Sequence, residues 1–154
     1  MIRSKYLQPK KYFYFLVKKI KSLFSDLENR GERVDIFFKK DFLLDENEKC
    51  HLKRYTFAKS YLKDGDRVGD FACGTGYGSA ILASKAGTVV GLDIDGRVIN
   101  KIKERYKDVS NLEFVESDLL NMNFENEFDA IVSFETIEHL KEEDILKLLG
   151  MYHK

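Results

Sequence analysis

The 154-residue sequence lacks most of the features that mark a specialised environment. Its two cysteines, Cys50 and Cys73, form no metal-binding or redox pattern, and the expected setting is a reducing cytoplasm. No stretch approaches the roughly 18 apolar residues of a membrane span. The first residues show no apolar block followed by a small-residue cleavage site. Proline occurs once, at Pro9, and there is no internal repeat or low-complexity tract. Net charge is absent too: 26 Lys and Arg offset 26 Asp and Glu, so no nucleic-acid partner is expected from bulk charge. What remains is ordinary for a globular chain, with 34% charged and 44% hydrophobic residues and length for one domain.

The charge is unevenly placed. Arg3, Lys5, Lys10, Lys11, Lys18, Lys19 and Lys21 precede the first acid, Asp26, whereas the part from Glu113 onward is acidic. Phe13, Leu16, Val17, Ile20, Phe24 and Leu27 recur at helical spacing with Lys11, Lys18 and Lys19 opposite, which predicts a helix over 10–27. Residues 1–49 therefore read as a basic, aromatic, N-terminal extension and 50–154 as the main domain. Residues 1–27 have two readings: the apolar stripe packs on the domain, or it makes peripheral contact with an anionic membrane face.

From residue 50 the pattern changes. A helix is expected over about 50–62, with Leu52, Tyr55, Ala58 and Leu62 inward and Asp64-Gly65 beyond its end. Then come strand 67–71, helix 77–86, strand 88–93, helix 96–107 with Val98, Ile102 and Tyr106 inward, strand 112–116 and strand 129–134. A last helix carries Ile145, Leu146, Leu148 and Leu149, with Gly150 after it. Alternation of this kind predicts an α/β fold, a parallel sheet with crossover helices.

Within it, Arg67-Val68-Gly69-Asp70 is a strand that ends near a carboxylate, and Cys73-Gly74-Thr75-Gly76-Tyr77-Gly78 is a turn of small residues opening a helix. The next strand, Val89-Val90-Gly91-Leu92-Asp93, also ends in an acid. Such a layout builds a nucleoside pocket at the carboxyl edge of a parallel sheet. Three explanations compete: a tight connection using glycine for backbone freedom, a nicotinamide or flavin dinucleotide site, or an S-adenosylmethionine site. Counted from Gly74, the third position of Gly-x-Gly-x-x-Gly is Ser79, so the dinucleotide fingerprint fails. An acid on each of the first two strands suits a diol or an ammonium, because a carboxylate only accepts hydrogen bonds.

The run Asp70-Phe71-Ala72-Cys73-Gly74-Thr75-Gly76 resembles motif I of the class I S-adenosylmethionine-dependent methyltransferases. Gly91-Leu92-Asp93-Ile94-Asp95, Glu116-Ser117-Asp118-Leu119 and the stretch Phe128-Asp129-Ala130-Ile131-Val132-Ser133-Phe134-Glu135-Thr136-Ile137-Glu138-His139-Leu140 are similar to the motifs that follow. The resemblance implies a Rossmann-like sheet and roles residue by residue. Asp70 would lie near the methionine amino group, and Gly74 and Gly76 would let the backbone pass close. Asp93 would take the ribose hydroxyls, and Asp118 the adenine amino group beside the Leu119 amide. Ala72, Ile94 and Phe134 would line the same site. Gly69, in place of the usual bulky residue, is expected to weaken its strand.

His51-Leu52-Lys53-Arg54-Tyr55-Thr56-Phe57-Ala58 is similar to the helix before motif I in bacterial methyltransferases of surface-glycan gene clusters. There an Arg-Tyr pair reaches the methionine carboxylate, which makes Arg54 and Tyr55 candidates. A small-molecule or glycan-related acceptor is expected. A hydroxyl acceptor needs a base, and His139 and Glu135 are the candidates, with Glu135 able to reach Glu138 and His139 if the backbone there is helical. A complete domain of this class carries seven strands ordered 3-2-1-4-5-7-6, of which four are legible here. The expectation is therefore a truncated or split methyltransferase whose fourth strand offers an open edge for a complementing chain or a second copy. Other readings are a non-catalytic remnant that binds a nucleoside or a partner and, more distantly, a nicotinamide-dependent oxidoreductase.

Overall fold

The structure is a computed structural model, and it describes residues 44–122 and 124–152. The helix expected at 10–27 and the membrane contact expected of residues 1–27 lie outside the described residues. Helix α1 spans Glu46–Lys59, β1 Arg67–Phe71, α2 Tyr77–Ala83, β2 Thr88–Asp93 and α3 Gly96–Arg105. There follow β3 Leu112–Glu116, β4 Ala130–Val132, a 3-10 turn at Ile137–His139, and α4 Glu142–Met151.

The four strands form one parallel sheet in the order β3-β2-β1-β4, as the alternation predicts. The order follows from the burial each strand demands. Strands β1 and β2 are buried over every position after the first, as only central strands covered on both faces can be. In β3 only Phe114 is buried, which suits an edge.

Alternation of side chains divides the core. Val68 and Val89 meet Tyr55 and Ala58 of α1, Leu62 just beyond its end, and Leu82 and Ala83 of α2. On the opposite side Phe71, Val90 and Leu92 pack with Phe124, Phe128 and Tyr152. A third cluster joins Ile99, Ile102 and Tyr106 to Phe114 and Cys73. Each fully buried aliphatic or aromatic side chain contributes about 1.5–3 kcal/mol of transfer free energy. Gly69 does not simply weaken β1: its missing side chain gives room to the Phe71 ring two residues on, into which a Cβ would run.

Helix limits differ from the sequence pattern for identifiable reasons. Helix α1 begins at Glu46 because Asp45 and Glu48 make a reciprocal capping box, each side chain accepting the other's backbone N–H at 2.9 Å. Helix α2 ends at Ala83, not 86, where the Asn111 amide donates to the carbonyls of Ala83 (2.8 Å) and Ala86 (3.1 Å). The inward stripe of α3 is Ile99 and Ile102, continued by Tyr106 at its C-cap; Val98 is only partly buried. Strand β4 is the three residues Ala130–Val132, and Gly150 lies inside α4.

Candidate functional site

The carboxyl ends of β1 and β2 are tied together by the turn between β1 and α2. The Cys73 N–H donates to the Leu92 carbonyl (2.8 Å), and the Gly76 N–H to that of Cys73 (3.0 Å). Three residues of the turn adopt positive φ: Ala72 (64°), Gly74 (53°) and Gly76 (77°). Gly76 also has no room for a side chain, since a Cβ would come within 2.9 Å of both Phe114 and Tyr106. At Gly74 the Cβ position faces open space, with nothing within 4 Å.

Asp93 closes this turn from the side of β2. Its carboxylate accepts the Gly74 N–H at 2.9 Å and the Asp95 N–H at 3.0 Å, and the residue is 6% exposed. Ile94, the next residue, is 68% exposed, conspicuous for a large apolar side chain beside a built turn.

Asp70 is wholly buried. Tyr55 donates its hydroxyl to one carboxylate oxygen (3.1 Å) and Ser79 to the other (2.6 Å). Burial pushes its pKa up to about 6 against the pull of those two hydrogen bonds, and the charge of Asp93 adds to the rise. The Tyr55 ring stands edge-on to Tyr77 (5.3 Å between centroids) and to Phe134 (5.1 Å), so α1, α2 and the segment after β4 meet on one aromatic ring. Burial holds the Tyr55 and Tyr77 hydroxyls protonated by raising both pKa values.

Arg54, one residue before, is buried and pairs with Glu135 at 2.5 Å. The backbone at Glu135 is not helical, as the reach to both Glu138 and His139 would require. It sits at φ 53° before the 3-10 turn, and its side chain crosses to α1. Glu138 is nonetheless near it: burial, and then hydrogen bonding and charge from Glu135, raise the Glu138 pKa. His139 is exposed, its backbone N–H donating to the Thr136 carbonyl at 3.1 Å.

The structure thus brings together Arg54, Tyr55, Asp70, Phe134 and Glu135 at the end of β1, and Gly74 with Asp93 at the end of β2. Asp118 stands apart, its carboxylate accepting from Leu120 N–H (2.9 Å) and the Asn121 amide (2.7 Å) of its own turn. Leu119 packs against the Phe71 cluster. Two surface concavities, about 320 Å³ beside Tyr106 and Phe114 and about 580 Å³ beside Leu120 and Leu146, include neither acid nor the glycine turn. The space that is open at the site lies over Gly74.

Three residues escaped the sequence reading. Ser79 was within reach of it, lying one turn after Gly76 and facing back to Asp70. Tyr77 and His51 were not, because their contact (His51 Nδ1 to Tyr77 Oη, 3.1 Å) joins separate helices. Burial, with the Arg54 charge second, lowers the His51 pKa to about 4, so the imidazole is neutral at pH 7. Among the described residues no cluster of His, Cys, Asp and Glu could hold a metal ion, and no helix is long and apolar enough to cross a membrane.

Residues 68–154 match the sequence profile of a family described as "Methyltransferase domain". Over 80 residues the chain is 42% identical to the ribosomal protein L11 methyltransferase of Thermotoga neapolitana; these are 50% of this chain but 30% of that protein. The chain spans under a third of the length of the curated relatives it matches. A solved Pyrococcus horikoshii protein superposes with a TM-score of 0.60 at 29% identity, covering 75% of this chain and 55% of that one. A TehB-like S-adenosylmethionine-dependent methyltransferase from Corynebacterium glutamicum gives a TM-score of 0.55 at 25% identity, over 64% of this chain and 53% of that chain. With its parallel sheet, glycine turn and matching profile over more than half its length, the chain belongs to the class I S-adenosylmethionine-dependent methyltransferases.

Proposed function

We propose that this chain holds S-adenosylmethionine along the carboxyl ends of β1 and β2 and passes its methyl group to a small-molecule or glycan-related acceptor. One observation carries the reading: a nearly buried carboxylate, Asp93, is locked by two backbone N–H groups beside the open space over Gly74. The residues fit the cofactor. Asp93 is an acceptor suited to the ribose hydroxyls, and the bare Gly74 leaves room for a ligand to approach the backbone. The exposed Ile94, with Leu119, offers an apolar wall to a base; Asp118 would take its amino group. Arg54 has the paired donors a carboxylate needs, Asp70 lends its charge to an ammonium from behind the Tyr55 and Ser79 hydroxyls, and Ala72, Gly76, Tyr55 and Phe134 shape the space between.

The bound cofactor supplies a methyl group already activated on a sulfonium. The chain's residues are then left to align the reactants and to take a proton from a hydroxyl acceptor. His139 is the better base of the two candidates, because Glu135 is engaged by Arg54 and His139 is exposed beside Glu138. Aligning groups without base chemistry suits an amine acceptor equally.

The test is transfer of isotopically labelled methyl from S-adenosylmethionine to a panel of sugars, small amines and ribosomal protein L11. Labelling of a small acceptor, reduced at least about tenfold by His139→Ala where the acceptor is a hydroxyl, is the expected result. Labelling of the protein alone would move the acceptor class. Binding of the cofactor without any transfer would make the chain a nucleoside-binding module.

A further inference from the structure

We infer that Glu135 is an internal competitor for the Arg54 guanidinium: its carboxylate stands against Nη1 as the counter-charge that the cofactor's amino-acid carboxylate would replace, and loading exchanges one carboxylate for the other. The inference rests on the proposed placement of the cofactor against Arg54. It adds a device that neither the fold nor the motifs contain, an affinity-setting residue that acts by withdrawing.

The pair is asymmetric. The Arg54 side chain is 9% exposed, fixed in the wall of α1 one residue from Tyr55, whereas the Glu135 side chain is 47% exposed. A guanidinium so placed is costly without a counter-charge. An anion is therefore needed there whether or not a ligand is bound. Glu135 supplies it from a left-handed backbone (φ 53°) that glutamate rarely adopts. The arginine cannot leave and the glutamate can. A second carboxylate arriving at Arg54 would meet Glu135 as a like charge, so occupancy by one disfavours the other. Glu135 then swings into solvent, toward the space after β4 where the acceptor would enter.

Calorimetric titration with two ligands separates this device from a general effect of charge. S-adenosylhomocysteine carries the amino-acid carboxylate; 5′-methylthioadenosine keeps the adenosine and thioether but lacks it. Glu135→Gln should bind S-adenosylhomocysteine about fivefold more tightly than the parent, the scale of a half-exposed ion pair, and 5′-methylthioadenosine unchanged. Glu135→Gly, which also relieves the backbone, should do the same if the glutamine side chain disturbs the loop. Equal or weaker S-adenosylhomocysteine binding by both variants overturns the inference, as does equal tightening of both ligands. Asp93→Ala is the control arm. If it binds both ligands as the parent does, the placement of the cofactor is wrong and the exchange falls with it; if it loses both while Glu135→Gln gains nothing, the placement stands and the exchange alone fails.

Discussion

Two residues show how far chemistry at a single position reaches. Ala72 holds φ 64° in a turn where glycine would be unstrained, a cost of roughly 1 kcal/mol for a residue with a Cβ. Ala72→Gly should raise stability by about 0.5–1 kcal/mol in urea unfolding; a loss would mean that the methyl group's packing outweighs the strain. Asp70 makes a larger claim. Its pKa in the fold, about 6, lies above its ordinary 3.8, so the native state holds the proton to higher pH than the unfolded chain does. Its contribution is complete below about pH 3.8 and is lost as pH rises through 6. Asp70→Asn should flatten stability against pH between these limits and gain on the order of 2 kcal/mol at pH 7.5. An unchanged slope would show that the buried carboxylate is not what the pH dependence reports. The presence of an acid at position 70 was legible from the strand end; its enclosure by Tyr55 and Ser79 was not, because burial is a property of three elements together.

At the scale of elements, β1, β2 and β3 fall where the sequence places them, β4 is half the expected 129–134, and the helix limits differ more. Apolar runs ended by acids or turns set β1, β2 and β3 locally, while α2 is stopped by a side chain from elsewhere in the chain. Asn111 lies just before β3, and its two hydrogen bonds to the Ala83 and Ala86 carbonyls cap a helix that periodicity alone would extend. Asn111→Ala should cost about 1–2 kcal/mol in urea unfolding, and Asn111→Asp, which cannot donate, should cost as much. A cost near zero for both would remove Asn111 as the stop. The segment after β4 likewise involves a contact from a distant element. Its Glu-x-x-Glu-His spacing would bring Glu135 to Glu138 and His139 on a helix, but Glu135 sits in a left-handed conformation with its side chain on Arg54 of α1, and only Ile137–His139 forms a 3-10 turn.

For the molecule as a whole, the order β3-β2-β1-β4 puts the two most buried strands at the centre and sets their acids at one edge. The alternation of strands and helices fixed that topology from the sequence, and the acids at two strand ends marked the edge. What the sequence did not reveal is that the edge has two halves with different character. At β2, Asp93 is held by backbone N–H groups and faces an open glycine turn; at β1, Asp70 is sealed among hydroxyls and Arg54 is already matched by Glu135. The β2 half is therefore the part built to meet a ligand as it stands, and the account depends on it. Calorimetric titration of S-adenosylhomocysteine into the parent chain and into Asp93→Ala tests this most directly. The account predicts saturable one-to-one binding by the parent and at least about tenfold weaker binding by the variant, the loss of two charge-assisted hydrogen bonds. Equal affinity in the two proteins would contradict it.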